Sequence, residues 1–394
     1  MRTWFRASAV IDFDALTYNI EQIRSRIKPD TKLMCVVKAN AYGHGAVQIA
    51  HKLAAIGVDA LAVATVREGE ELRNSGITLP ILILGYVPKE CYRKAIQNDL
   101  IMSVYNYAMG MDINAAARTL GKKAEVHIKI DTGMNRIGFM VEEKTIQRII
   151  MLNSLGKNLN ISGIFTHFAC ADCEEDYMTQ DQAEGFMWVC DRLKELGMDI
   201  PLRHCSNSAA IMRYPQLNYN MVRSGIITYG LYPSEEVDRT LIDLKPVMSL
   251  MSQVVLVKSV PAGTPVSYGA TYLCDHETKL ATISIGYGDG YPRAMSGKGR
   301  VLIGSKSYPI VGRICMDQLM VDVTDIDYEI KQGDKVVLIG CQGSERIAAE
   351  EIADTLGTIN YEIVCNISRR LVRVYMENGS VVKMADYLID YAHS

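Results

Sequence analysis

The chain has 394 residues, a formal net charge of −3 and 48% hydrophobic residues. That length exceeds the usual span of one hydrophobic core, so two domains are expected, with apolar content enough to bury both. Acids and bases are interspersed with no basic stripe or charged tail, which excludes nucleic acid as an expected partner and leaves a small molecule.

Up to about residue 240, strand-like apolar runs alternate with helical periodicity. The runs are 32–37, 60–65, 81–86, 101–105, 126–130, 161–165, 202–205 and 226–229. Between them lie patterns such as Phe13, Leu16, Ile20, Ile23 and Ile27, spaced three and four apart, which lay one apolar stripe against a parallel sheet. Eight such units predict a TIM-type (β/α)8 barrel over residues 1–240. A doubly wound sheet is the competing reading, but no G-x-G-x-x-G follows the first strand. From 241 to 394 strand-rich segments take over: 254–260, 280–285, 301–303, 308–314, 319–323, 335–339 and 371–375. This predicts a mainly-β domain with a hairpin turn at Gly304-Ser-Lys-Ser307 and one helix over 348–356.

No apolar run is long enough to cross a bilayer. The opening segment also lacks the uninterrupted apolar core of a signal peptide, so no membrane partner and a cytoplasmic location are expected. The ten cysteines are scattered. Several (Cys35, Cys205, Cys315, Cys365) sit in apolar strand-like settings, where cysteine behaves as a small hydrophobe, and a reducing compartment fits that use. Cys170-Ala-Asp-Cys173 has ligand spacing, and His167 with His204-Cys205 completes a zinc sketch. A lone C-x-x-C without a second pair reads better as two free thiols in a loop, so no metal is expected.

Chemistry in a barrel belongs at the carboxyl ends of its strands. There the run Leu33-Met-Cys-Val-Val-Lys-Ala-Asn-Ala-Tyr-Gly-His-Gly45 ends a buried-looking strand on Lys38 and turns at once into a glycine-rich loop. An amine held rigidly and partly desolvated in that way has the lowered pKa of a Schiff-base lysine; a lysine that ends a strand by reaching solvent is the plainer reading. After the last two strands, Asn207 and Ser208 offer side-chain donors, and Gly225 lets backbone N–H groups approach an anion. Either segment also serves as a helix cap or tight turn.

These residues, with the stretches 129–138 (Lys-Ile-Asp-Thr-Gly-Met-Asn-Arg-Ile-Gly), 163–168, 206–209, 267–272, 286–290, 312–317 and 358–362, make the chain resemble the alanine racemase family of pyridoxal phosphate enzymes over nearly its whole length. Racemisation needs an electron sink and two acid/base groups on opposite faces of Cα. The resemblance implies that Lys38 is the cofactor-binding lysine and first base. Tyr268 is then the second base, reaching in from the β domain of the other subunit of a homodimer. A free phenol titrates about three units above neutral pH, a gap of roughly 4 kcal/mol that a neighbour must help to close. By resemblance that neighbour is His167, which lies near Arg223.

Arg223 is implied at the pyridine nitrogen, where an arginine leaves the ring a weak sink and suppresses transamination. Arg136 is implied as ligand for the cofactor phenolic oxygen and the substrate carboxylate, with Lys129, in many relatives carbamylated, holding it in place. The resemblance gives the phosphate to Tyr42, Asn207, Ser208, the amides of Gly225 and Ile226, and Tyr361. It gives the other carboxylate contact to the Met316 amide and the substrate entrance to Tyr272 and Tyr287. A narrow aromatic mouth implies alanine as substrate and D-alanine for peptidoglycan as product. The alternatives are a serine or broader racemase of the same family, a decarboxylase, or a single-domain barrel that binds the cofactor without turnover.

Overall fold

The computed structural model describes residues 5–390, Asp390 by its backbone alone; the first four residues of the opening segment read above lie outside that range. The chain divides into two compact units, one built from 17–41 and 46–245 and the other from the N-terminal residues to 16, 42–45 and 246 onward.

The first unit is a parallel eight-stranded sheet curled into a nearly closed barrel. Its strands run in the order Met221–Ser224, Lys32–Val36, Ala60–Val63, Ile81–Ile83, Ile101–Val104, Ala124–Asp131, Leu159–Phe165 and Leu202–His204, each parallel to its neighbour. The ends approach where Arg223 N–H donates to Ser206 O at 3.0 Å. The strands are short, β-branched-rich and buried, as helices on the outer face require. Helix starts follow local chemistry. Thr65 caps Val66–Asn74 in a reciprocal capping box with Glu68, and the Asn106 side chain caps Tyr107–Leu120.

The eighth strand is displaced from its expected position. Ile226–Tyr229 is a buried 3-10 turn, and the strand is Met221–Ser224 just before it. The Ile-Ile-Thr-Tyr run is apolar because the turn is enclosed on every side. The true strand carries an arginine that is only 3% exposed.

The second unit is a ten-stranded sheet. Six of its strands, Met248–Val260, Thr278–Ile283, Leu319–Asp322, Lys306–Val311, Arg300–Ile303 and Lys335–Gln342, close into an antiparallel ring through the pairing of the last with the first. Ile303 faces Lys306 across the two-residue Gly304-Ser305 turn. The sequence reading places all of 1–240 in the barrel, yet Ala7–Asp12 lies in this second sheet. It is antiparallel to Met248–Val260 on one side and parallel to Val372–Glu377 on the other. Its short apolar run has no partner within the barrel and two outside it. A second helix, Asn360–Cys365, follows Ala349–Leu356, and an exposed strand, Ser380–Ala385, ends the sheet; neither has a clear apolar period.

Residues 42–45 belong to this β unit for steric reasons. Gly43 and Gly45 both have positive φ. A Cβ on Gly43 would stand 2.0 Å from Val364 O, and one on Gly45 1.9 Å from the Tyr375 hydroxyl. Arg373 Nε and Nη2 donate to Gly43 O, and Tyr375 donates to His44 O. The glycines thus let the backbone lie directly on the β unit.

Candidate active site

Lys38 follows the strand Lys32–Val36 at its carboxyl end and is half-buried. The next residues form a left-handed turn, with φ of 52°, 57°, 53° and 51° at Ala39, Asn40, Ala41 and Tyr42. Each L-residue in that region costs roughly 1–2 kcal/mol, so the turn exists only because its surroundings dictate it. Ala41 N–H donates to Val37 O, Ala39 N–H to Glu68 Oε1 at 2.7 Å, and Ala46 N–H to Asn40 Oδ1. Glu68 Oε2 meanwhile accepts from Ala64 and Thr65. One carboxylate therefore fixes both the cap of the next helix and the backbone beside the lysine. The strain lies in the four residues that directly follow the lysine.

Within its last strand, Met221–Ser224, the barrel holds a wholly buried cation. Arg223 donates to His204 Nδ1 (3.0 Å), His204 O (2.9 Å), Thr166 O (2.8 Å), Cys205 O (2.9 Å) and His167 Nδ1 (3.2 Å). Every acceptor is neutral, and burial lowers the guanidinium to about 10. It remains charged at neutral pH and forbids charge on the imidazoles. Burial first, then Arg223, holds His167 and His204 well below the ordinary histidine range.

Since Arg223 can only donate, both rings accept at Nδ1 and carry their proton on Nε2. His204 Nε2 passes its hydrogen bond on to His127 Nδ1 at 2.9 Å, and His127, also buried, is pushed down to about 3. The chain ends against Gly163, where a Cβ would stand 2.6 Å from the His127 ring. His127 and His204 have no site role in the sequence reading. The signal was present: His127, Lys129 and Asp131 alternate with apolar residues on one face of a barrel strand. His167 and His204, drawn into the zinc sketch, both spend Nδ1 on Arg223.

Three buried neutral histidines make stability acid-sensitive. Their folded pKa values lie below the unfolded value near 6.5, so the unfolded chain takes up protons that the folded one refuses. Stability is full above that pH and is lost as pH falls towards the folded values, at about 1.4 kcal/mol per pH unit for each ring. Urea unfolding midpoints should be flat from pH 8 to 7 and drop steeply from 6.5 to 5. A flat profile across that range would mean that the rings are charged in the fold.

Lys129 is 5% exposed, its Nζ donating, among the described residues, only to Ile130 O at 3.3 Å and lying 5.0 Å over the Phe165 ring. Burial, then Arg223, drives its pKa well below the usual lysine value, with Asp131 pulling the other way. The Asp131 carboxylate is taken up by the loop it begins. Its Oδ1 accepts from Gly133 and Asn135 and its Oδ2 from Arg136, each at 3.0 Å. That loop presents Arg136 on the surface of the unit, where its side chain makes no hydrogen bond or ion pair among the described residues.

At the expected anion site the donors are already partly engaged. Asn207 is the N-cap of Ser208–Arg213, its Oδ1 accepting from Ala210 N–H and its Nδ2 donating to Phe168 O. Gly225 N–H donates to Ser208 Oγ at 2.9 Å, which leaves the buried hydroxyl its own proton to give. Ile226 opens the following turn.

Within the β unit, Tyr42 and Tyr361 pack ring against ring at 6.1 Å, and burial raises the Tyr42 phenol. Tyr268 and Met316 line one cavity of about 590 Å³ with Ser267, Cys315 and Gln318. Tyr268 is 69% exposed on a turn entered through Ser267 at φ 66°. Tyr287 joins this face through its N–H to Cys315 O. Tyr272 does not line the cavity; it is half-buried against Val266, Cys274, Leu280 and Val311.

Comparison with known proteins gives this arrangement a context. Residues 11–233 match the model of the alanine racemase N-terminal domain and residues 247–375 that of the C-terminal domain. The alanine racemase of Clostridium tetani is 44% identical over 96% of this chain and 98% of that protein. The solved alanine racemase of Clostridium difficile 630 superposes with a TM-score of 0.94 at 47% identity, covering 98% and 99% of the two chains. That of Bacillus anthracis with bound L-Ala-P gives 0.92 at 38%, covering 99% and 100%.

Proposed function

The chain belongs to the alanine racemase family, and from that premise we propose that it interconverts L- and D-alanine with pyridoxal phosphate held on the barrel. The observation that carries this is Arg223, a buried cation bonded only to neutral acceptors, among the strand ends that also bear Lys38.

The donors fit that cofactor. Lys38 supplies the amine, Ser208 a buried hydroxyl with its proton free to donate, and Asn207 and the Gly225–Ile226 turn the remaining barrel contacts; the family resemblance adds the phenols of Tyr42 and Tyr361. When bound, the cofactor supplies the sink for the electrons left by the Cα proton. Lys38 takes or returns that proton on one face. Tyr268 of a second copy does so on the other, its phenol assisted by neutral His167. Arg223, charged at neutral pH, would donate a hydrogen bond to the pyridine nitrogen without transferring its proton, and the cofactor would then supply only a weak electron sink. Arg136 and the Met316 amide hold the substrate carboxylate, and Tyr287 restricts the entrance; Tyr272, packed against the Val266 cluster, supports this face from behind. Tyr361 favours alanine over serine, since family members directed to serine can lack it.

The reading is tested by incubating the protein with pyridoxal phosphate and L-alanine in heavy water, following α-proton loss by NMR and D-alanine by chiral separation. D-alanine without pyruvate is the expected result. No exchange by a cofactor-loaded protein would reject it, and faster turnover of serine would shift it to the serine racemases of the same family. Supply of D-alanine to peptidoglycan in the cytoplasm is the role we assign. Among the described residues no helix is long and apolar enough to cross a membrane.

If Tyr268 serves a second copy, the working unit is a homodimer with shared sites. Specific activity should then fall as the protein is diluted through its dimer dissociation, followed by light scattering at the same concentrations; a fully active monomer would contradict the shared site.

Lys129, which burial holds well below the usual lysine range, is suited to add carbon dioxide as the neutral amine, losing a proton to give a carbamate. Labelled bicarbonate should produce a carbamate carbon resonance absent from Lys129→Ala. An unmodified lysine under saturating carbon dioxide would refute it.

A further inference from the structure

The C-x-x-C that racemisation leaves unused is better furnished in space than in sequence. Cys173 N–H donates to Cys170 O at 3.1 Å, closing a turn that carries both cysteines. The helix Tyr177–Glu195 brings Met178 from its first turn, with Sδ 3.4 Å from Cys170 Sγ. The three sulfur residues line a cavity of about 290 Å³ with Glu174, Tyr177 and Glu236, and all three are only half-buried.

The frame is held without using the sulfurs. Arg213 donates to the carbonyls of Ala171, Cys173 and Glu174. Ser234 Oγ donates to Asp172 O at 2.8 Å, and Glu236 Oε2 accepts from Glu174 N–H.

We propose that Cys170, Cys173 and Met178 form a three-sulfur site for a soft monovalent cation of the cuprous class. Two thiolates and a thioether select such an ion, whereas zinc needs four nitrogen, oxygen or thiolate ligands. Among the described residues no group of three or more His, Cys, Asp or Glu is placed to hold a metal, so the third donor is the methionine. On binding, each thiol releases its proton to water, two thiolate–metal bonds and one dative thioether bond form, and no electron is transferred. The complex carries one negative charge, on a loop held by the Arg213 guanidinium and in a cavity that Glu174, Glu175 and Glu236 also line. That loop begins at His167 and Phe168, whose carbonyls accept from Gln182 and Asn207, so an occupied site stiffens the segment that carries the active-site histidine.

The test is an anaerobic titration of the full-length cofactor-loaded protein with Cu(I) against a chromogenic cuprous chelator, with X-ray absorption at the copper edge. One tight equivalent with three sulfur neighbours is expected. Cys170→Ser and Cys173→Ser should each lose it. Met178→Leu, which keeps the volume and hence the fold, should weaken it about 10- to 100-fold and leave two sulfurs. A tight equivalent that survives in the double serine variant, a two-sulfur spectrum unchanged by Met178→Leu, or equal affinity for Zn(II) would overturn the proposal, because each reads the metal rather than turnover.

Discussion

Replacing Lys38 with alanine is expected to end covalent retention of pyridoxal phosphate and to slow racemisation by at least about a thousandfold. The magnitude follows from two roles lost together, the anchoring amine and the proton acceptor on one face of Cα. The left-handed turn after Lys38 is held by Val37, Glu68 and Asn40 through contacts that do not involve the lysine side chain, so the variant should keep its fold. Borohydride reduction followed by peptide mass analysis should find the cofactor on the Lys38 peptide of the parent and nowhere in the variant. Cofactor reduced onto another lysine, or activity within tenfold of the parent, would show that Lys38 is not the anchor.

Tyr268→Phe should cost about 10²- to 10⁴-fold in racemisation, the range for losing one positioned acid/base group. The loss must be equal in the two directions, because the enantiomers have equal free energy and the ratio of forward to reverse kcat/KM is fixed. The asymmetry appears in exchange. One enantiomer, whose proton faces Lys38, should still trade its α-proton with heavy water without inverting, while the other becomes inert. NMR of L- and D-alanine in separate tubes reads this directly; equal residual exchange in both would rule out one base per face. Tyr268 is well exposed, so the deletion of one hydroxyl should leave stability unchanged.

Much of this was legible in the residues, unevenly and for physical reasons. Strands such as Ala60–Val63 and Ile81–Ile83 are buried on both faces and announce themselves as short apolar runs. Met221–Ser224 did not, because it carries an arginine whose burial makes sense only once the carbonyls and imidazoles around it are assembled from two other segments, 166–167 and 204–205. Lys38 was visible from the strand before it and the glycines after it. The left-handed turn between was not, since Ala39, Ala41 and Tyr42 have no preference for positive φ and are held there by Glu68 from the next unit of the barrel. Asn207 was read as a ligand when its side chain is first a helix cap, a use that any asparagine before a helix shares. Tyr268 carried no signal of its own: a tyrosine in a turn is ordinary, and only its company in the motif set it apart.

The strand Ala7–Asp12 carries one further consequence, for the order in which the molecule is made. It leaves the ribosome well before its two sheet neighbours, Met248–Val260 and Val372–Glu377. At ordinary elongation rates it waits roughly 20–70 s for the second of them. Throughout that time the barrel segment can complete its sheet from its own residues, while the N-terminal strand stays an unpaired edge. Nascent chains stalled before residue 372 should therefore display a protected barrel and a protease-sensitive N-terminus, and the β unit closes only when the last part of the chain returns to the first.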